Sequence, residues 1–159
     1  MRVLDASSAL HAWDNYPIEN LPTIWSWLDS EIASERIVIP RVALDEVGHI
    51  SPECRRWMVS IDGFKPIEVD NAIASHALLV NGEIGVQNDQ YGSGVDANDV
   101  IIIATAKACS FELVSNESRQ PALPINRKKY KIPAVCNLQS IGVTCINFAD
   151  LIKSSSRVF

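Results

Sequence analysis

Apolar and polar positions along the chain follow two periods, with short β-branched runs standing between longer stretches of helical period near 3.6. Arg2–Leu4 predicts a strand ending on Asp5, after which Ser7 or Ser8 offers a cap for a helix running towards Trp13. Asn15–Pro17 breaks that helix. Pro22 suits the first turn of a second one, where Ile24, Trp25, Leu28 and Ile32 form a buried stripe. Ile37–Ile39, stopped by Pro40, predicts a second strand. Pro40 then starts a helix that turns Ala43, Leu44 and Val47 inward, with Glu46 beside that stripe. Ser51-Pro52-Glu53 starts another, with Trp57 and Met58 on its apolar side. Phe64–Val69 reads as extended, Asn71–Val80 as helical, and Asn81–Asn98, rich in Gly, Asn and Asp, as a loop. Asp99–Ala108 predicts a strongly apolar helix and Phe111–Val114 a strand, followed by a polar, proline-broken Ser115–Lys131. A short helix near Val135–Gln139, a strand at Thr144–Asn147 and a helix at Phe148–Lys153 complete the pattern.

Strands that alternate with helices imply an α/β protein. The expected architecture is a three-layer α/β/α sandwich around a central, mainly parallel sheet. With no internal repeat, linker or low-complexity segment, residues 1–159 read as one domain. A composition 47% hydrophobic and 21% charged excludes disorder. No apolar run approaches the roughly 20 residues that span a bilayer, and the N-terminus carries no basic leader, so a cytoplasmic location without membrane association is expected. Cys54, Cys109, Cys136 and Cys145 form no CxxC pair and no zinc spacing, which points to structural thiols in a reducing compartment.

Net charge changes the picture. At −5 it disfavours phosphate binding, which rests on Lys and Arg. The cations are unevenly placed, however. Arg119, Arg127, Lys128, Lys129 and Lys131 make one basic stretch, open to two readings: a solvated loop or a nucleic-acid contact.

Candidate chemistry comes from the acids. Ligands of open parallel sheets gather beyond the carboxyl ends of strands. Asp5 follows the first strand, Ser115, Asn116 and Glu117 follow a later one, and Asp99 begins the helix before it. Each alone has a plain reading: Asp5 and Asp99 as helix-start residues, Glu46 as a solvated helix acid, Glu117 as a loop acid. Together they describe an oxygen-donor set for Mg²⁺ or Mn²⁺, which prefer carboxylates and water over thiols. Asp96, one helical turn before Asp99, either caps that helix or supplements the set.

These residues, in this order, resemble the PIN-domain nucleases. The opening VLDASSAL (Val3–Leu10) resembles that family's first strand with its leading acid and following hydroxyl residue. IPRVALDEV (Ile39–Val47) resembles its second strand and acid-bearing helix, and DVIIIATAKACSFELVSNE (Asp99–Glu117) its Asp-led apolar helix, strand and Ser/Thr–x–acid turn. CINFADLI (Cys145–Ile152) resembles the last strand and helix, so the resemblance extends over nearly the whole chain. It implies that Asp5, Glu46 and Asp99 are core metal-site acids. Glu117 falls at the fourth position, where Asp is commoner. Ser7 and Ser115 match the hydroxyl residues that hold the first and fourth acids. The implied activity is Mg²⁺- or Mn²⁺-dependent hydrolysis of RNA, in a size class similar to the toxin halves of bacterial toxin–antitoxin pairs, with an antitoxin and a second copy of the chain as expected partners.

Two rival classes stand beside it. A haloacid-dehalogenase-like phosphatase wants a second Asp where Ser7 stands, and a receiver domain wants paired acids and a Lys that the chain does not supply. A PIN-like fold serving as a non-catalytic binding module would have no need of all four acids.

Overall fold

The structure is a computed structural model describing residues Met1–Phe159. Four parallel strands, β1 (Arg2–Leu4), β2 (Ile37–Val38), β3 (Glu112–Val114) and β4 (Cys145–Ile146), form one sheet in the order β2-β1-β3-β4. Eight α-helices flank it: α1 (Ala6–Asn15), α2 (Pro22–Ala33), α3 (Arg41–Ile50), α4 (Pro52–Ser60), α5 (Asn71–Ile84), α6 (Ala97–Cys109), α7 (Ile132–Cys136) and α8 (Phe148–Ser154). This is the expected α/β architecture, and its sheet is wholly parallel.

The differences from the pattern lie at element ends. Helix α5 runs past Val80 to Ile84 because Val80 and Ile84 continue its buried stripe, and it stops where Gly85 takes a left-handed φ of 76°. The predicted extended run Phe64–Val69 contributes only one bridge, Ile67 to Pro40, because no further strand lies beside it. The short helix near Val135–Gln139 instead spans Ile132–Cys136, since Pro133 belongs in a first turn and not beyond a last one. Ser51 and Pro52 start α4 as expected, the Ser51 hydroxyl accepting from the Cys54 N–H.

Both faces of so small a parallel sheet must be covered, and the core is accordingly one continuous cluster. Val3, Leu4, Leu113 and Val114 are fully buried at its centre, in one cluster with the equally buried Ile102 and Ile103 of α6 and Phe148 of α8. The tryptophans pack internally. Trp25 meets Trp13 and Trp57 edge-on, with ring centroids 5.4 and 4.7 Å away. All four cysteines are free thiols. No helix is long and apolar enough to cross a membrane.

The chain enters at β1, crosses to β2 on one side, and later returns to β3 on the other. The strand order therefore reverses between β1 and β3, which is where an open parallel sheet leaves a crevice beyond its carboxyl ends. Asp5 and Ser115 are the residues that follow those two strands.

Candidate metal centre at the sheet switch point

Asp5 is 2% exposed, too buried for a carboxylate without partners. It occupies the N-cap position of α1, yet its side chain caps nothing. Its Oδ2 instead accepts hydrogen bonds from the Ser7 hydroxyl and, at 2.8 Å, from the Ser115 hydroxyl. The capping role expected of Ser7 or Ser8 is thus corrected: the helix has already begun at Ala6, which frees both hydroxyls for tertiary contacts. Burial pushes the Asp5 carboxyl above its ordinary value, the two hydroxyls oppose that push, and the nearby Glu117 charge adds to it.

Asp99 and Asp96 form a reciprocal capping box at the start of α6. Asp96 accepts from the Asp99 N–H at 3.0 Å, and Asp99 Oδ2 accepts from the Asp96 N–H at 3.0 Å. Asp96 is therefore the exposed cap, while Asp99 points inward. Burial, reinforced by the charges of Asp96, Glu117 and Asp5, pushes the Asp99 carboxyl up to about 7 despite the Asp96 N–H. Glu46, half-buried on α3, is likewise raised, first by burial and then by Asp5, Asp96 and Glu117. Residues scattered from position 5 to 117 thus share one negative field.

Glu117 is differently employed. Its Oε2 accepts from the Ile132 N–H at 3.0 Å and its Oε1 from Lys131 Nζ at 3.4 Å, so it holds the start of α7. The extra methylene relative to Asp is what reaches that far. Asn116, which the Ser–x–acid reading passed over as the x, proves to be the tie of the site. Its Oδ1 accepts from the Ser8 hydroxyl at 2.8 Å and the Phe148 N–H at 2.9 Å, while its N–H donates to the Ser7 hydroxyl at 3.0 Å. One side chain thereby locks α1 and α8 to the end of β3. Its sequence signal is its place with Ser115 and Glu117 beyond the carboxyl end of a strand.

The basic stretch is largely turned to internal use. Arg127 pairs with Glu83 at 3.1 Å and Lys128 donates to the Gln90 carbonyl at 3.0 Å. Lys131 pairs with Glu117, and Arg119 donates to the Cys145 carbonyl at 3.3 Å. Lys129 is exposed without such a partner. Arg119 and Glu117 line a hollow of about 240 Å³ over the ends of β3 and β4, together with Asn116 and Cys145. Another hollow of about 270 Å³, around Lys107, Phe111 and Ile141, opens by the start of β3 and gathers no group of acids.

The donor set suits a hard cation. Asp5, Glu46 and Asp99 have no Lys or Arg partner, and burial first, together with the Glu117 charge, raises all three carboxyls, with Asp5 and Asp96 adding at Glu46 and Asp99. No three of these acids converge tightly enough to be direct ligands of one ion as they stand. Mg²⁺ asks for less, taking one or two carboxylates and completing its shell with water and phosphate.

The chain matches, over residues 3–159, the family model described as a domain of unknown function, DUF4411. No curated protein matches it. Among solved structures it is similar to FitAcB from Neisseria gonorrhoeae, at a TM-score of 0.50 and 14% identity, covering 92% of this chain and 97% of that one. At that identity the likeness is one of fold, and it agrees with a PIN-like arrangement of the sheet and its helices.

Proposed function

We propose that this chain, which belongs to the DUF4411 family, is a divalent-cation-dependent nuclease acting on RNA. One observation carries the reading: buried carboxylates with no cationic partner gather where the strand order reverses, at a standing electrostatic cost. Folds keep such a group mainly where it binds a cation and works on it.

In this reading Asp5, Asp99 and Glu46 hold Mg²⁺ or Mn²⁺. When bound, the ion supplies an acidified water and charge stabilisation at a scissile phosphodiester. Ser7 and Ser115 fix the rotamer of Asp5 through its Oδ2, so that carboxylate is oriented before any ligand arrives. Asp99, whose carboxyl burial and neighbouring acids push up to about 7 without an ion, is the acid whose charge a bound cation would relieve most. Glu117 positions the α7 wall rather than the metal, and Arg119 lies where it can meet a substrate phosphate.

The PIN resemblance and the small size extend the proposal to the toxin of a cytoplasmic toxin–antitoxin pair, able to dimerise. Expression should then arrest growth, and a neighbouring gene's product should relieve the arrest and co-purify. Neither happening would remove the toxin role. The test of the core reading is cleavage of labelled single-stranded RNA with Mn²⁺, Mg²⁺ or EDTA. Cutting should require the metal and vanish in Asp5→Ala and Asp99→Ala. A second reading, a binding module, draws on the internal use of most of the basic stretch. It gains if no form cuts and Mn²⁺ does not raise the melting temperature.

A further inference from the structure

The hollow of about 240 Å³ over the ends of β3 and β4 adjoins a second one, of about 200 Å³, because Arg119, Pro133 and Cys145 line both. The first shares Ser115, Asn116 and Glu117 with the acidic crevice. The second leads away from it, between Leu123 on one side and Ala134 of α7 on the other, as far as Asn137. Arg119 is the only Lys or Arg that lines either.

The groups around the second hollow are unemployed inside the chain. The Arg119 side chain is exposed and makes one internal bond, to the Cys145 carbonyl at 3.3 Å, which leaves most of its five N–H donors free. Asn137 is exposed, and its amide has no partner within the chain. Leu123 is 57% exposed although apolar. The frame that holds them is nevertheless fixed. Pro121 and Pro124 restrict the backbone on either side of Leu123. Gln120 ties the root of that loop twice, its Nε2 donating to the Lys129 carbonyl at 3.0 Å and its Oε1 accepting from the Lys131 N–H at 2.8 Å. The opposite wall is the first turn of α7, which Glu117 holds through the Ile132 N–H. The hollow is thus formed before any ligand arrives.

We propose that this second hollow is a nucleotide subsite for single-stranded RNA. Arg119 takes a phosphate next to the one held at the acids, and the base beyond it lies against Leu123 and Ala134 with its edge at Asn137. The choice of ligand rests on the nuclease reading. A guanidinium fork matches phosphate oxygens, and the unstacked bases of single strands are met by apolar or guanidinium faces and read at their edges. A side-chain amide offers a donor and an acceptor together, as a base edge requires. An acidic peptide would also suit Arg119, but Asp5, Glu46 and Asp99 next door would repel it. A phosphodiester chain reaches those same acids through the divalent cation that bridges them. The strand would then cross the carboxyl edge of the sheet from the β1–β3 switch point towards β4.

The experiment uses the full chain and a short single-stranded RNA with one 4-thiouridine, moved position by position and irradiated in Ca²⁺, which takes the same oxygen donors as Mg²⁺. Peptide mapping should place the crosslink, for one position of the label, within residues 119–137. Crosslinks confined to other segments, or none at any position, overturn the subsite. Arg119→Ala should weaken binding ~10-fold and lower the slope of log affinity against log salt by ~0.7, the value of one phosphate on a single strand. Arg119→Lys should restore the slope without the full affinity. Leu123→Ser, at an exposed position that the fold does not depend on, should weaken binding a few-fold and leave the slope unchanged. Unaltered affinity in both Arg119→Ala and Leu123→Ser refutes the proposal. So does a glutamate-rich peptide that binds through Arg119 while RNA does not, which would give the hollow to a protein partner. In Mn²⁺ the two variants should raise KM for RNA cleavage with kcat close to wild type. If RNA binds here and is not cut, the nuclease reading falls and the subsite stands. If RNA is cut with KM unchanged in both variants, the subsite falls and the nuclease reading stands.

Discussion

Replacing Asp99 with Asn removes a charge while keeping the carbonyl oxygen that accepts from the Asp96 N–H, so the α6 cap survives and the cost of the buried charge is isolated. The Asp99 carboxyl stands at about 7 against an ordinary 3.8. That is about 3 pKa units, or ~4 kcal/mol at 1.36 kcal/mol per unit. Asp99 is partly reached by water, so roughly 2–4 kcal/mol is the expected range. The sign follows from the direction of the shift. A carboxyl raised by folding lends stability that is whole below its unfolded value and is lost as pH rises through the folded one. In EDTA the wild type should therefore weaken steadily from pH 4 to pH 7 relative to Asp99→Asn. The variant should be nearly level with it at pH 4 and clearly more stable at pH 8. Urea unfolding at the two pH values measures this directly. Adding Mn²⁺ at pH 8 should narrow or reverse the gap, since a ligand at a hundred times its Kd stabilises the folded state by ~2.7 kcal/mol, and the variant lacks one holder. A variant no more stable than wild type at pH 8 in EDTA would refute the idea that Asp99 is held against its charge.

Three further outcomes are expected. Asn116→Ala strips the acceptor from the Ser8 hydroxyl and the Phe148 N–H, and should cost about 1–3 kcal/mol in a urea melt; a loss near zero would mean that the tie is idle. Asp96→Ala should cost about 1 kcal/mol through the lost cap and, by removing a like charge, lower the Asp99 carboxyl, readable as a shift of its titration by NMR. Lys129→Ala should reduce the salt dependence of RNA affinity by about one counter-ion, whereas Arg127→Ala, whose charge is spent on Glu83, should leave it nearly unchanged; equal effects would contradict the internal role of Arg127.

What could be read from the sequence was what local pattern and chain order control. The apolar run around Ile102 and Ile103, the β-branched run at Ile37 and the Pro52 helix start all fall where the periodicity placed them, within a residue or two. Element ends escaped where tertiary context decides. The Ile84 stripe carried α5 beyond a glycine, and the lack of a neighbouring strand left Phe64–Val69 almost unpaired. At the site, the places of Asp5 and Ser115 just after strands were legible because the strand pattern sets them, but what each side chain meets was not. Whether Glu117 faces a metal or the Ile132 N–H depends on where α7 sits, and no local signal records that. The ties of Asn116 were hidden for the same reason: its partners lie on elements that only the fold brings near.

The central pairing of β1 with β3 joins residues 110 apart, Arg2 facing Glu112. On a ribosome adding about 5–20 residues per second, roughly 5–20 seconds pass between the emergence of one partner and the other. Throughout that interval Asp5 exists without Ser115, α8 is absent, and the crevice has only one bank. On the proposed nuclease reading, a chain so wired cannot act while it is being made. Its birth carries a built-in silence that lasts until the last strand closes the crevice.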